Sequence, residues 1–223
     1  MLLTKLLVIS GLATLGAAPA DDASAEPKPS LPKVLLIGDS IRLGYAPTVI
    51  DQLKGKATVF NPSANGGDSQ NVIKHLDRWL ADQPDIVHFN CGIHDTKRDK
   101  KTGVFQVSPG QYETNLRRIV ARIRKRPQTK VLFATTTPIL DDRAAQARKE
   151  AEYDLLQQSV DQYNLIARRV MRELNVPIDD LAASLDDPAH SARVIGADGI
   201  HFKPEGSAEL GKQVAAFVRE HLP

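Results

Sequence analysis

Five residues carry the groups that acyl transfer requires, and they are spread over four distant segments of the chain. They are one serine, one glycine, two histidines and one aspartate: Ser40, Gly67, His94, Asp198 and His201. A serine hydroxyl beside an imidazole that a carboxylate orients is a nucleophile, and backbone N–H groups at a glycine can bind an oxyanion. Each segment alone is a weak signal, because a serine in such a place can equally be only the N-cap of a helix. Their convergence at one site would be a strong signal.

The elements that must position these residues alternate between strand and helix. The predicted strands are short apolar runs at residues 34–37, 58–60, 86–90, 131–134 and 176–178, and apolar residues at helical spacing lie between them. This alternation predicts a single-domain α/β protein whose parallel five-stranded sheet has the order 2-1-3-4-5, with helices on both faces. Ligands bind at the carboxyl edge of such a sheet, and the four segments all lie there.

Two further segments carry predictions. Apolar spacing predicts one long helix over residues 144–174, and residues 96–108 are predicted to form a charged surface loop that faces the substrate.

Composition excludes several classes of partner. The chain has 223 residues, a formal charge of +2 and ordinary charged and hydrophobic fractions of 25% and 42%. No basic field indicates a nucleic acid or a membrane surface as partner. The one cysteine, Cys91, allows no internal disulfide, and no residue spacing indicates a metal site, so we predict no cofactor and no metal. The oligomeric state is left open.

The N-terminus differs from the rest of the chain. Lys5 precedes an apolar run that ends at Ala18-Pro19-Ala20, which is typical of a signal peptide cleaved near Ala20. The run is shorter than the about 20 residues that a membrane-spanning helix needs. We therefore predict a signal peptide over residues 1–20, a flexible leader over 21–32 and the catalytic domain over 33–223, exported to the periplasm or beyond. An uncleaved membrane anchor is the alternative.

The motifs together resemble the SGNH (GDSL-type) hydrolases. Gly38-Asp39-Ser40, the Gly67 loop and Asp198-x-x-His201 carry the resemblance, which extends from Val34 to the last helix. The glycine-flanked serine of α/β-hydrolases is absent. The resemblance implies a flavodoxin-like, three-layer α/β/α fold and a serine esterase or acylhydrolase. It also implies that Ser40 is the nucleophile, His201 its base and Asp198 the acid that orients the ring, with the N–H groups of Ser40 and Gly67 in the oxyanion hole.

One position departs from the family pattern. The family's third block reads Gly-x-Asn-Asp, whereas this chain has Gly92-Ile93-His94-Asp95. A histidine N–H can donate the hydrogen bond that the asparagine amide would give the oxyanion, so His94 is expected to complete the oxyanion hole. The substitution also introduces a group that titrates.

The expected function is hydrolysis of a short acyl ester, such as an O-acetyl group on a carbohydrate, with a small-molecule or carbohydrate ester as the only predicted partner. A lipase or lysophospholipase of the same family is one alternative, although the charged loops and an aromatic content of 5% do not favour a large acyl pocket. A catalytically weak carbohydrate-binding relative is another. A flavodoxin-like nucleotide binder would need a phosphate loop, which the sequence lacks.

Three further polar residues have simpler interpretations. Asp39 is expected to fix the turn before Ser40 by accepting backbone N–H groups. His88 is expected to be a hydrogen-bonded core residue. For Arg42, the sequence leaves the pocket and the surface equally open.

Overall fold

The computed structural model describes residues 30–223, which form a sheet between two layers of helices. The strands are β1 (Lys33–Ile37), β2 (Thr58–Phe60), β3 (Ile86–Phe89), β4 (Arg98–Asp99), β5 (Lys130–Ala134), β6 (Tyr153–Asp154) and β7 (Ile178–Asp179). The α-helices are α1 (Ser40–Gln52), α2 (Ser69–Trp79), α3 (Pro109–Ile123), α4 (Asp141–Ala147), α5 (Gln157–Glu173), α6 (Pro188–Val194) and α7 (Pro204–Glu220). The predicted signal peptide, residues 1–20, lies outside the described residues, as does most of the leader.

The main sheet is parallel and has the order β2-β1-β3-β5-β7. Counted along the chain within this sheet, the order is 2-1-3-4-5, which confirms the prediction. The chain leaves β1 toward β2 on one side and returns to β3 on the other, so a crevice opens beyond the carboxyl ends of β1 and β3. Ser40 follows β1 directly, and His94 lies a few residues beyond β3.

Both faces of the interior strand β1 are covered. Val34 and Leu36 belong to the apolar cluster that includes the inner faces of α1 and α7. Leu35 and Ile37 belong to the opposite cluster, which α2, α3 and α5 close. Alternate residues of a strand point to opposite faces, so a strand buried on both faces needs an uninterrupted apolar sequence. This explains the run that precedes Gly38.

The prediction of one long helix over residues 144–174 is wrong. The chain forms α4, then the short strand β6, then α5, whose apolar stripe starts only after Leu156. Residues 153–154 leave the helix because they pair with β4 in an antiparallel ribbon, Arg98 opposite Asp154 and Asp99 opposite Tyr153. The expected surface loop at 96–108 is therefore held in place by this ribbon, next to the carboxyl edge of the main sheet.

One smaller prediction concerns a buried polar residue. His88 is fully buried with Nε2 3.1 Å from Asp179 Oδ2, which confirms it as a hydrogen-bonded core residue. Cys91 is also buried, and burial raises the pKa of its thiol well above the ordinary value.

Among residues 30–223, no helix combines the length and the apolar character that crossing a bilayer requires.

Candidate active site

A sharp turn between β1 and α1 presents the Ser40 hydroxyl at the crevice. Asp39 caps α1, because its carboxylate accepts the N–H of Ile41 at 2.8 Å. This confirms that Asp39 fixes the turn. Because Asp39 is the N-cap, the hydroxyl of Ser40 does not cap the helix. Burial raises the pKa of Asp39, against the opposing effect of that N–H. The backbone N–H of Ser40 lies at the start of α1, where the helix dipole favours negative charge.

The structure brings Ser40, His201 and Asp198 into one hydrogen-bonded chain. Ser40 Oγ lies 2.8 Å from His201 Nε2, and His201 Nδ1 is hydrogen-bonded to Asp198 Oδ2. An ionised carboxylate can only accept, so Nδ1 carries the proton and Nε2 offers its lone pair to the hydroxyl. This is the arrangement in which an imidazole can take a proton from serine.

Asp198 is kept ionised by the turn that carries it. Its Oδ1 accepts the N–H groups of Ile200 at 3.1 Å and His201 at 2.9 Å. Partial burial raises the pKa of Asp198, but these bonds and the bond from the His201 ring outweigh that effect, so the pKa lies below its ordinary value. Gly199 makes the turn possible: its φ is +75°, and a Cβ there would lie 2.5 Å from the backbone N of Ala144.

The second predicted oxyanion donor, Gly67, is engaged locally. Its φ is +61°, and its N–H donates to Asn65 Oδ1 at 2.8 Å. An oxyanion would therefore have to replace the Asn65 oxygen at this N–H. The neighbouring Gly66 N–H donates to the carbonyl of Gly38 at 2.8 Å, which holds the loop against the turn that carries Ser40.

His94 lies at the wall of the cavity in front of Ser40. This cavity has a volume of about 130 Å³ and is lined by Ser40, Ile93, His94, Lys97, Arg148, Tyr153, Leu155, Ile200 and His201. Burial lowers the pKa of His94, although the nearby Asp39 carboxylate acts in the opposite direction. The ring is accordingly neutral at pH 7 and has a single N–H to donate.

Arg42, which the sequence left undecided, lies neither in the pocket nor on the surface. Its side chain is 1% exposed and points under the loop that follows β2. The guanidinium donates to the carbonyls of Gly38 at 3.0 Å, Pro62 at 2.6 Å and Ala64 at 2.7 Å, and also to the side chain of Asn61. It therefore connects the Ser40 turn with the loop that ends at Gly67. The only sequence signal was its position between Ile41 and Tyr45 on the inward face of α1.

A second polar connection joins the Gly67 loop to the segment after β3. Asp95, fully buried, accepts the N–H of Ser69 at 3.0 Å and its hydroxyl, and Asn115 Nδ2 donates to the same hydroxyl at 2.8 Å. Burial raises the pKa of Asp95 to about 7, against the opposing effect of the Ser69 bonds. Sequence reasoning assigned Asp95 no such role, because its partner lies on a different loop.

Arg148 is a further residue that the sequence did not single out. Its Nη1 donates to the backbone carbonyl of Asp198 at 2.8 Å, and its Nη2 lies 3.8 Å from Asp198 Oδ2. The guanidinium thus lies beside the triad-like chain and at the cavity wall. Within residues 30–223, no three His, Cys, Asp or Glu side chains are grouped so that they could hold a metal ion.

Comparison with known proteins gives a consistent result. The sequence model of the GDSL-like lipase/acylhydrolase family matches residues 36–208. A GDSL esterase/lipase from Arabidopsis thaliana is 25% identical over 209 residues, covering 84% of this chain and 86% of that protein.

Two solved structures share the fold. A lipase/acylhydrolase from Enterococcus faecalis superposes with a TM-score of 0.72 at 21% identity, covering 86% of this chain and 98% of that one. An acetyl xylan esterase superposes with a TM-score of 0.67 at 18% identity, covering 83% of this chain and 99% of that one. At these identities, the superpositions establish the three-layer fold.

Proposed function

Since the chain belongs to the GDSL-like lipase/acylhydrolase family and is thus a carboxylic ester hydrolase, we propose that it is an exported serine esterase that cleaves short acyl esters. The observation that carries the proposal is the contact of 2.8 Å between Ser40 Oγ and His201 Nε2, with Asp198 bonded to the far side of the ring. The export part depends on the signal peptide predicted for residues 1–20.

The proposed reaction begins with the transfer of the Ser40 hydroxyl proton to His201 Nε2. The serine oxygen attacks the acyl carbonyl, whose π electrons move to oxygen and form a tetrahedral oxyanion. Asp198 holds the ring and stabilises the imidazolium. The N–H groups of Ser40 and Gly67 and the N–H of the neutral His94 ring are the proposed donors to the oxyanion.

Collapse of this intermediate breaks the ester C–O bond. His201 Nε2 gives its proton to the departing alcohol, and the acyl group stays on Ser40. Water then gives a proton to the same nitrogen while its oxygen attacks the acyl-enzyme. A second tetrahedral intermediate releases the carboxylic acid and restores the Ser40 hydroxyl.

The size of the cavity favours a short acyl group. About 130 Å³ is available in front of Ser40, whereas a cavity of about 150 Å³ holds a single benzene molecule. An acetyl or propionyl group fits this space, which favours a short acyl ester. The similarity of fold to an acetyl xylan esterase agrees with an O-acetyl group on a carbohydrate as the substrate.

The test is hydrolysis of 4-nitrophenyl esters by the purified mature protein. We expect activity on the acetate that declines steeply with acyl length, and loss of activity in Ser40→Ala. Ser184→Ala is the matched control, because its hydroxyl donates only to the Leu181 carbonyl at 2.9 Å. A wild-type protein without activity on any short acyl ester would contradict the proposal and favour the carbohydrate-binding alternative. A preference for long acyl chains would favour the lipase.

A further inference from the structure

We infer that the ester substrate carries an anionic group close to the scissile bond, and that Lys97 and Arg148 bind this group at the wall of the Ser40 cavity. The inference rests on the proposed esterase function and adds a specificity to it. The chemical class is a carboxylate-bearing ester, whose charge lies either on the acyl half or on the alcohol half.

The first argument is the charge of the cavity wall. Lys97 and Arg148 line the cavity, and among the described residues that line it there is no aspartate or glutamate. The nearest carboxylate to Arg148 is Asp198, which already accepts the His201 ring and two backbone N–H groups. Two cations thus line the space in front of Ser40, whereas the carboxylates of Asp198 and Asp39 are not among its lining residues. In a small cavity such cations attract anions more strongly than they would in bulk water.

The second argument is the position of Lys97. Its ammonium lies 4.8 Å from the centre of the Tyr153 ring, so the charge is held over the aromatic face at the cavity. Among the ion pairs within residues 30–223, the neighbouring Lys100 is paired with Asp154 at 3.7 Å and Lys101 with Glu152 at 3.9 Å, but Lys97 has no such partner. A half-buried ammonium without an acidic partner is suited to bind an external anion.

The third argument is that Arg148 is positioned in advance. Its side chain is 16% exposed, and the bond to the Asp198 carbonyl fixes the guanidinium. A cation that is already ordered loses little conformational entropy when a ligand binds. Its planar fork can also donate to both oxygens of a carboxylate.

A second, larger cavity bears on which side of Lys97 the anionic group would bind. It has a volume of about 440 Å³ and shares Lys97 and Tyr153 with the Ser40 cavity. Its wall includes two carboxylates, Asp99 and Glu152, together with Phe105. These acids disfavour an anion there, so this cavity suits a neutral polar part of the substrate. The anionic group is expected on the Ser40 side of Lys97.

The experiment compares pairs of esters of similar size and shape, one of them anionic and the other neutral. For the alcohol half, the pair is 4-acetoxybenzoate and 4-acetoxybenzamide; for the acyl half, it is phenyl hydrogen succinate and phenyl levulinate. The measured quantity is the ratio of kcat/KM, anionic over neutral, each corrected for its uncatalysed rate. A general stabilisation of the oxyanion by nearby cations would raise both rates and cancel in this ratio.

We expect a ratio of about ten or more for one of the two pairs, and that pair identifies which half carries the charge. Lys97→Met should reduce the ratio about tenfold, which corresponds to about 1.4 kcal/mol. Lys97→Arg should preserve the ratio. Lys101→Met is the matched control, because Lys101 is 83% exposed and lies on the same ribbon. Sodium chloride at 0.5 M should lower the ratio by screening.

Three results decide the matter. A ratio near one for both pairs in the wild type, or a ratio that Lys97→Met leaves unchanged, would overturn the inference while neutral acetates are still cleaved and the esterase proposal stands. If no ester is cleaved, the esterase proposal fails. In that case, calorimetric titration of the Ser40→Ala protein with 4-acetoxybenzoate and succinate decides the inference. Binding that Lys97→Met abolishes supports it, and absence of binding overturns it.

Discussion

Arg42 offers a test of whether a buried side chain outside the cavity positions the oxyanion loop. In Arg42→Met the side chain keeps an apolar stem that reaches about as far as the arginine Nε, and it loses every donor. The carbonyl of Gly38 would still accept the Gly66 N–H, but the carbonyls of Pro62 and Ala64 would lose their partner. We expect the loop between β2 and α2 to shift away from Ser40.

Two magnitudes follow from these contacts. Hydrogen bonds from a charged donor contribute about 1.5–3 kcal/mol each, but water can replace them at the partly exposed Pro62 and Ala64 carbonyls. The free energy of unfolding should therefore fall by about 2–4 kcal/mol. Loss of one oxyanion donor costs about 10²–10³ in kcat, so a displaced Gly67 N–H should lower kcat by about 10–100-fold. KM should change little.

The assay combines urea unfolding with kcat and KM on 4-nitrophenyl acetate below the unfolding transition. Arg122→Met is the control, because Arg122 also donates to a backbone carbonyl, that of Ile73 at 2.7 Å, on the contact between α2 and α3. We expect it to lose stability without losing kcat. If Arg42→Met loses stability but keeps kcat within about twofold of the wild type, the guanidinium supports only the fold, and the reasoning about the loop is refuted.

Three further substitutions probe the site. His94→Asn should keep kcat within about tenfold of the wild type, since an amide N–H replaces a ring N–H; a loss as deep as that of Ser40→Ala would contradict this. Because burial lowers the pKa of His94, the two proteins should also have the same pH–rate profile above neutral pH. Asp198→Asn should lower kcat by about 10³–10⁴-fold with little change in KM, because the ring loses its orienting acceptor; a loss below tenfold would show that another group orients it. Burial raises the pKa of Asp95 from its ordinary value of 3.8 to about 7, so between these pH values the folded protein holds a proton that the unfolded chain has lost. The free energy of unfolding therefore falls as the pH rises through this range, by up to about 4 kcal/mol. Urea unfolding at pH 4 and pH 8 should show a smaller decline for Asp95→Asn, and equal declines in the two proteins would contradict the buried-carboxyl explanation.

Local sequence was sufficient for most of the fold. The strands of the main sheet are apolar runs bounded by turn residues. Such runs can be recognised in the sequence because a strand that is buried on both faces has few polar residues. The turn at Gly38-Asp39-Ser40 and the closing Asp198-x-x-His201 are likewise short, local patterns. Their meeting followed from the rule that parallel strands present their carboxyl ends at one edge.

Contacts between residues that are far apart in the sequence could not be predicted in the same way. The helix predicted over residues 144–174 fails at Tyr153 and Asp154 because these residues pair with a ribbon strand more than fifty positions earlier. The same limit applies to Arg42 and to Asp95, whose partners lie on other loops. Side-chain to backbone bonds between loops leave no periodic signature, so the supports of the site were the least predictable part of it.

The central claim is that Ser40 is the residue that becomes acylated, and covalent labelling tests it most directly. Incubation with a fluorophosphonate, followed by intact-mass and peptide mass spectrometry, should give one adduct per chain. We expect it on the Ser40 oxygen, with loss of esterase activity in step with labelling and no adduct in Ser40→Ala. An adduct on a residue other than Ser40 would contradict the claim. So would loss of esterase activity on incubation with the probe while Ser40 stays unmodified.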